Sequence, residues 1–183
     1  ANAFLAGVAD ESAPTPLDAL PVEGKVAGSE RLVRGPYGLQ PYFTFGDGDI
    51  LSLGGRIFGA LAAYRMPDGP SYTRLVVPYP DPAAAAAALA HLRANLDPYL
   101  KVTADRPDGF DFVDFQEKKG RAARSGAVLD ILFNLPSAAL MPSLLPLSGG
   151  FAMDLRPKIP KQVLDWKAYG EDAVYDRKTL YDY

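Results

Sequence analysis

Two apolar runs joined by a turn sequence form the clearest pattern in the chain. Residues Arg56–Met66 and Ser71–Tyr79 are separated by Pro67-Asp68-Gly69-Pro70, which is typical of a tight turn. The second run is rich in β-branched and aromatic residues, which favour strands. Spacing in the first run also fits a helical stripe, but the strong turn signal favours a β-hairpin.

An alanine-rich helix is predicted directly after this hairpin, over residues 82–96. Asp81 is a good N-cap, and Pro82 fits the first helical position. Alanines 83–88 have the highest intrinsic helix propensity. Three leucines recur at helical spacing with Ala85 and Ala88 on the same side, so this face should lie close against a sheet.

Further strands are predicted on both sides of the hairpin and helix. They cover residues 40–46, 50–53, 99–104, 110–116 and 125–135. In the last of them, alternation places Asp130 and Asn134 on the face opposite the apolar residues, as in a half-buried strand. The element order β-β-β-β-α-β-β-β predicts an α+β fold: a two-layer structure with a mostly antiparallel sheet of about five to seven strands and one long helix on one face.

Both ends of the chain are predicted to be extended arms. Residues 1–38 carry four prolines, which disfavour helix and sheet pairing, apart from a short helical turn at Pro16–Leu20 capped by Thr15. The α+β core domain is assigned to residues 39–136. Residues 137–183 are interpreted as an apolar, proline-interrupted segment and an aromatic C-terminal arm, with a helical stretch near Lys161–Tyr169.

Charge and composition exclude several classes of function. The 19 basic and 22 acidic residues are interspersed, whereas nucleic-acid binding needs a basic stripe. The densest basic cluster is predicted to be a solvated hairpin tip; it comprises Lys118, Lys119, Arg121 and Arg124. The sequence has no cysteine, so disulfides, thiolate catalysis and cysteine-bound zinc are excluded. No apolar run reaches the roughly 18 residues needed to span a membrane.

The first residues and the apolar segment at 137–153 give indications of where in the cell the protein is located. The chain opens on small residues, Ala-Asn-Ala, of the kind that a signal peptidase leaves after cleavage. This predicts removal of a signal peptide and an extracytoplasmic location, periplasmic or secreted. Residues 137–153 are nearly uncharged, and they either cover the core or contact a partner or a lipid surface at the membrane periphery.

Few residues in the sequence could carry chemistry. His91 is the only histidine, and no hydrolase elbow or phosphate-binding glycine loop is present. Asp47 and Asp49 flank a turn glycine, and four further aspartates recur every third residue: Asp105, Asp108, Asp111 and Asp114. Stabilisation of turns is their default role, with a Ca²⁺ site or a paired-aspartate hydrolase as alternatives. We expect no enzyme activity, no cofactor and no metal.

The function predicted from these observations is that of a non-catalytic interaction protein. It would be an accessory subunit docked through its arms on a larger extracytoplasmic or membrane-associated assembly. Amphipathic rings with few rotors are common interface anchors. The predicted partner-binding residues are Leu144, Leu145, Trp166, Tyr169, Tyr175, Tyr181 and Tyr183. The alternative is a small-molecule or lipid carrier with a cavity between helix 82–96 and the sheet.

Overall fold

The fold was determined from a computed structural model of the chain. It describes residues 16–55, 57–66, 69–138 and 142, and the backbone of residues 162–163 and 166–167. The chain divides into two units, residues 1–153 and 154–183. Among the described residues, no helix is long and apolar enough to cross a membrane.

The first unit is built around a seven-stranded antiparallel sheet. The strands are β1 (Arg31–Arg34), β2 (Phe58–Arg65), β3 (Ser71–Pro78), β4 (Lys101–Arg106), β5 (Gly109–Val113), β6 (Lys119–Ser125) and β7 (Val128–Leu135). Their spatial order is β1-β2-β3-β7-β6-β5-β4, which is two meanders joined by the β3–β7 pair. With the helix α1 (Pro82–Ala94) between β3 and β4, the α+β class is confirmed.

The hairpin and the helix formed as their sequences predict. β2 pairs with β3 in antiparallel register, with Leu61 opposite Leu75. Asp81 caps α1, since its Oδ1 accepts a hydrogen bond from the Ala84 N–H at 2.8 Å. The helix ends at Ala94, two residues earlier than predicted, because the Asn95 N–H turns back to the last carbonyls of the helix.

The two strands predicted before the hairpin are wrong. Residues 40–46 and 50–53 form an irregular loop whose apolar side chains enter the same core cluster as those of α1. Phe43 and Phe45 contact the Phe133 ring, with centroids 4.8 and 5.4 Å apart. The apolar alternation in this segment therefore reflects burial against the sheet rather than strand pairing.

Residues predicted to belong to an irregular N-terminal arm instead join the sheet. Arg31–Arg34 form β1, which pairs with β2, and Val33 is buried. The predicted helical turn is present as a 3₁₀ helix at Pro16–Ala19, while its predicted cap Thr15 lies outside the described residues. Ala19 and Leu20 pack on the face of the sheet opposite α1, against Ala60, Ala62 and neighbouring side chains.

The region predicted as a basic turn is a strand. Lys119–Ser125 form β6, so β7 lies between β3 and β6 as an inner strand. Both faces of this inner strand are covered, so β7 is not the half-buried strand that was predicted. The predicted solvent-facing position of Asp130 is therefore wrong, since this residue is 3% exposed. Near its end, β7 bulges at Asn134, whose φ is 62°, and the register with β6 shifts there.

The described part of the second unit is a short strand pair. β8 (Gln162–Val163) pairs antiparallel with β9 (Trp166–Lys167), so the helix predicted over residues 161–169 is wrong. Valine and tryptophan are both strand-favouring residues, which outweighs the weak helical pattern of this short segment. Trp166 lies in β9, and the other predicted partner-binding residues lie outside the described residues.

Candidate functional site

The four aspartates that recur every third residue are each bonded to a different group of the protein. Asp105 pairs with Arg93 of α1, and Asp108 pairs with Arg124 of β6. Asp114 instead accepts backbone N–H groups of its own turn. Across residues 16–55, 57–66 and 69–138, no three His, Cys, Asp or Glu side chains converge as metal ligands would. The aspartates therefore serve ion pairs and turns.

Asp111 lies between two arginines on the sheet face opposite α1. Its Oδ1 accepts from Arg121 Nε and its Oδ2 accepts from Arg106 Nη2, both at 2.6 Å. Partial burial acts to raise the pKa of Asp111, but the hydrogen bonds and charges of the two arginines outweigh it and lower that pKa to about 2.

This depressed pKa predicts a loss of stability in acid. In the unfolded chain, Asp has a pKa of about 3.9. The ionised carboxylate therefore contributes about 2 kcal/mol to the free energy of unfolding above pH 4, and this contribution is lost as the pH falls through about 2. Asp111→Asn should remove it at neutral pH, so that urea unfolding separates variant and wild type at pH 7 and not at pH 2.

The exposed neighbour Asp108 provides a control for this experiment. Its side chain is 59% exposed, so Asp108→Asn should change stability little at any pH. A difference between wild type and Asp111→Asn that stays constant from neutral to acid pH would contradict the role of the ionised carboxylate.

A small polar depression lies at the C-terminal end of α1. It is lined by residues 46–47, 91 and 95–98 and has a volume of about 210 Å³, below the roughly 300 Å³ typical of small-molecule sites. His91 Nδ1 lies 3.1 Å from the Ile50 carbonyl oxygen, and Asp97 accepts the Tyr99 N–H. These polar groups are thus engaged with the backbone of the protein itself.

The face of α1 that meets the sheet is closely packed. Ala85, Ala88 and Leu92 are buried in the main core cluster together with Leu129 and Ile131 of β7. Small alanine side chains let the helix approach the sheet, as their spacing predicts. The observed depression lies at the end of the helix rather than beneath it, so it gives no support to a carrier with a cavity under residues 82–96.

Both edges of the sheet are protected against pairing with another strand. The edge strand β1 has only four residues, with Arg31 and Arg34 at its ends. The opposite edge strand, β4, is charged and its register shifts between Val102 and Ala104. Short, charged and bulged edges are the usual means of preventing edge-to-edge association, so strand addition is disfavoured at both edges.

Two exposed aromatic rings, Tyr99 and Phe115, form what we call the aromatic tip. They lie where β4 begins and β5 ends, with ring centroids 6.1 Å apart and planes at 67°. The two residues are 71% and 72% exposed. Within the part of the chain that the structure describes, every other pair of contacting rings includes a buried or half-buried ring.

Each ring of the aromatic tip is carried by a turn that an aspartate stabilises. Asp97 Oδ1 accepts the Tyr99 N–H at 2.8 Å. Asp114 Oδ1 accepts the N–H groups of Gln116 and Lys118 at 2.8 and 2.9 Å, and the Asp114 N–H donates to the Lys118 carbonyl. Such turns restrain the backbone before any partner binds, which lowers the entropy lost on binding.

Sequence reasoning missed the aromatic tip because both residues fell within predicted strands. Phe110 and Phe112 alternate along β5 and are buried, but Phe115 breaks this period of two. That break, directly after Asp114, was the available signal that the strand had ended. Comparisons of the chain with protein-family models, with curated proteins and with solved structures gave no match.

Proposed function

We propose that this chain is a non-catalytic interaction protein, an accessory subunit that docks on a larger extracytoplasmic or membrane-associated assembly. The observation that carries the proposal is the aromatic tip: two exposed rings in mutual contact on restrained turns. Single exposed apolar residues are ordinary on protein surfaces, whereas paired exposed aromatics are typical of contact sites.

The engagement of the polar side chains supports the non-catalytic part of the proposal. A catalytic carboxylate or imidazole must present a group to a substrate. Asp105, Asp108 and Asp111 instead face arginines, Asp114 faces its own turn, and His91 faces a backbone carbonyl. These contacts supply structural roles for the residues that most resembled candidates for chemistry.

The proposed docking surface also includes residues of the arms. Trp166 in β9 and the predicted anchors outside the described residues would contact protein surfaces of the assembly: Leu144, Leu145, Tyr169, Tyr175, Tyr181 and Tyr183. Removal of a signal peptide and an extracytoplasmic location belong to the same proposal, since docking on such an assembly requires export.

Site-specific photo-crosslinking in the native organism tests the proposal. A photoreactive phenylalanine analogue at position 99 or 115 should form adducts with another molecule, because these side chains would lie in a contact. The analogue at position 37 is the matched control, since Tyr37 is 69% exposed but is not part of the aromatic tip. The same analogue at positions 166 and 181 tests the arms. Adduct yields at 99, 115, 166 and 181 no higher than at 37 would refute docking through these sites.

A further inference from the structure

The two rings of the aromatic tip and the charged residues beside them indicate which kind of surface this site contacts. We infer that Tyr99 and Phe115 insert into the headgroup layer of a membrane containing anionic phospholipid. This inference rests on the proposed function, since it names the partner surface of the same site. It makes the sheet domain a peripheral membrane module held with its β4–β5–β6 end toward the lipid.

The size of the aromatic tip favours a lipid surface over a protein surface. Aromatic side chains offer about 150–250 Å² each, so two rings exposed by about 70% present on the order of 300 Å². A stable protein interface covers about 800 Å² on each partner. Binding at a membrane interface has no such minimum area: it grows with the apolar area that is buried and with attraction to anionic lipid, so two protruding rings beside lysines can contribute to it.

The charged residues beside the rings point the same way. Lys101 lies two residues after Tyr99 and is exposed, and Lys118 lies three residues after Phe115. Neither lysine forms an ion pair with any residue that the structure describes. Lysines are depleted in protein interfaces but common beside membrane-inserted rings, where their long stems let the ammonium reach phosphates.

Two of the three carboxylates near the rings accept backbone hydrogen bonds. Asp97 accepts the Tyr99 N–H, and Asp114, 9% exposed, accepts two N–H groups of its turn. Glu117 is the remaining acidic side chain of this turn and is exposed. Asp97 and Asp114 keep their negative charge but are held against the backbone. No described ion pair holds Lys101 or Lys118, so their long stems let the ammonium groups approach anionic headgroups.

The course of the chain is consistent with this orientation. Val113 at the end of β5 is in register with Lys119, and Lys119 is in register with Leu135. The chain thus leaves β7 at the same end of the sheet as the aromatic tip. The sequence that follows contains no charged residue until Asp154, so it adds no charge that would oppose approach to a lipid surface.

Vesicle co-sedimentation of the full chain tests the inference. We expect binding to vesicles of equal parts phosphatidylcholine and phosphatidylglycerol, with weaker binding to phosphatidylcholine alone. Tyr99→Ser with Phe115→Ser should lower binding by about tenfold or more, and Lys101→Gln with Lys118→Gln by about tenfold. Tyr37→Ser is the control and should bind as the wild type does. Four of these positions are exposed and Lys118 is half-buried, and unchanged thermal unfolding of each variant would establish that it folds.

A fluorescence measurement locates the rings directly. In a Trp166→Phe background, Phe115→Trp places the only tryptophan in the aromatic tip. Its emission should shift to shorter wavelength with the mixed vesicles and be quenched by brominated lipid. An unshifted emission, or serine variants that sediment like the wild type, would overturn the inference.

Crosslinking separates failure of this inference from failure of the proposed function. Adducts of position 115 with lipid support membrane insertion. Adducts with an acidic protein and none with lipid overturn it but leave the interaction function standing. Absence of any adduct at positions 99, 115, 166 and 181 would contradict both the membrane inference and the proposed function.

Discussion

Replacing Phe133 by alanine should lower the free energy of unfolding by about 3–5 kcal/mol. Phe133 lies on the inner strand β7, is fully buried, and contacts the rings of Phe43 and Phe45. The cavity would be lined by a loop and by the sheet, which cannot close on it without separating from other core contacts. Urea unfolding followed by circular dichroism measures the loss.

Phe115→Ala is the matched control for this prediction, because the same side chain is removed at a position 72% exposed. It should change stability by no more than about 0.5 kcal/mol. Equal losses at the two positions would contradict the assignment of one ring to the core and the other to the aromatic tip. Comparison of the two variants also distinguishes an effect on stability from an effect on function, since only the Phe115 variant should lose contact with a partner.

Replacing Arg74 by methionine should also cost about 3–5 kcal/mol, for an electrostatic reason. Arg74 and Asp130 are 1% and 3% exposed and lie on the adjacent strands β3 and β7. Arg74 Nε donates to Asp130 Oδ1 at 2.9 Å, and its Nη2 donates to Oδ2. Burial raises the pKa of the Asp130 carboxyl, while the hydrogen bonds and charge of Arg74 oppose this increase. Removing the arginine leaves a buried carboxyl without this partner.

Two further variants identify the origin of the Arg74 effect. The double change Arg74→Met with Asp130→Leu removes both charges and should recover most of the stability, since apolar replacement of a buried pair is often neutral or better. Arg93→Met breaks an exposed pair, with side chains 44% and 72% exposed, and should cost about 1 kcal/mol or less. A double variant as unstable as the single one would show that packing of the arginine stem, rather than its charge, stabilises the sheet.

The elements predicted correctly depend on short-range signals. A Pro-Asp-Gly turn between two apolar runs produced the β2–β3 hairpin, and Asp81-Pro82 before an alanine run produced α1. Their stabilising contacts lie within a few residues, so the local sequence contains the necessary information. The aromatic tip is intermediate: its aspartate-stabilised turns are local, but the contact between Tyr99 and Phe115 joins two separate turns.

The sequence by itself determined the α+β class, the absence of cysteine chemistry, the hairpin and the capped helix. Only the tertiary structure decided that β6 is a strand, that β7 is buried on both faces, and that residues 40–53 pack as a loop. The physical reason is distance along the chain. Arg74 and Asp130 are 56 residues apart, and a polar residue at position 130 looks solvated until the β3–β7 pairing supplies its partner.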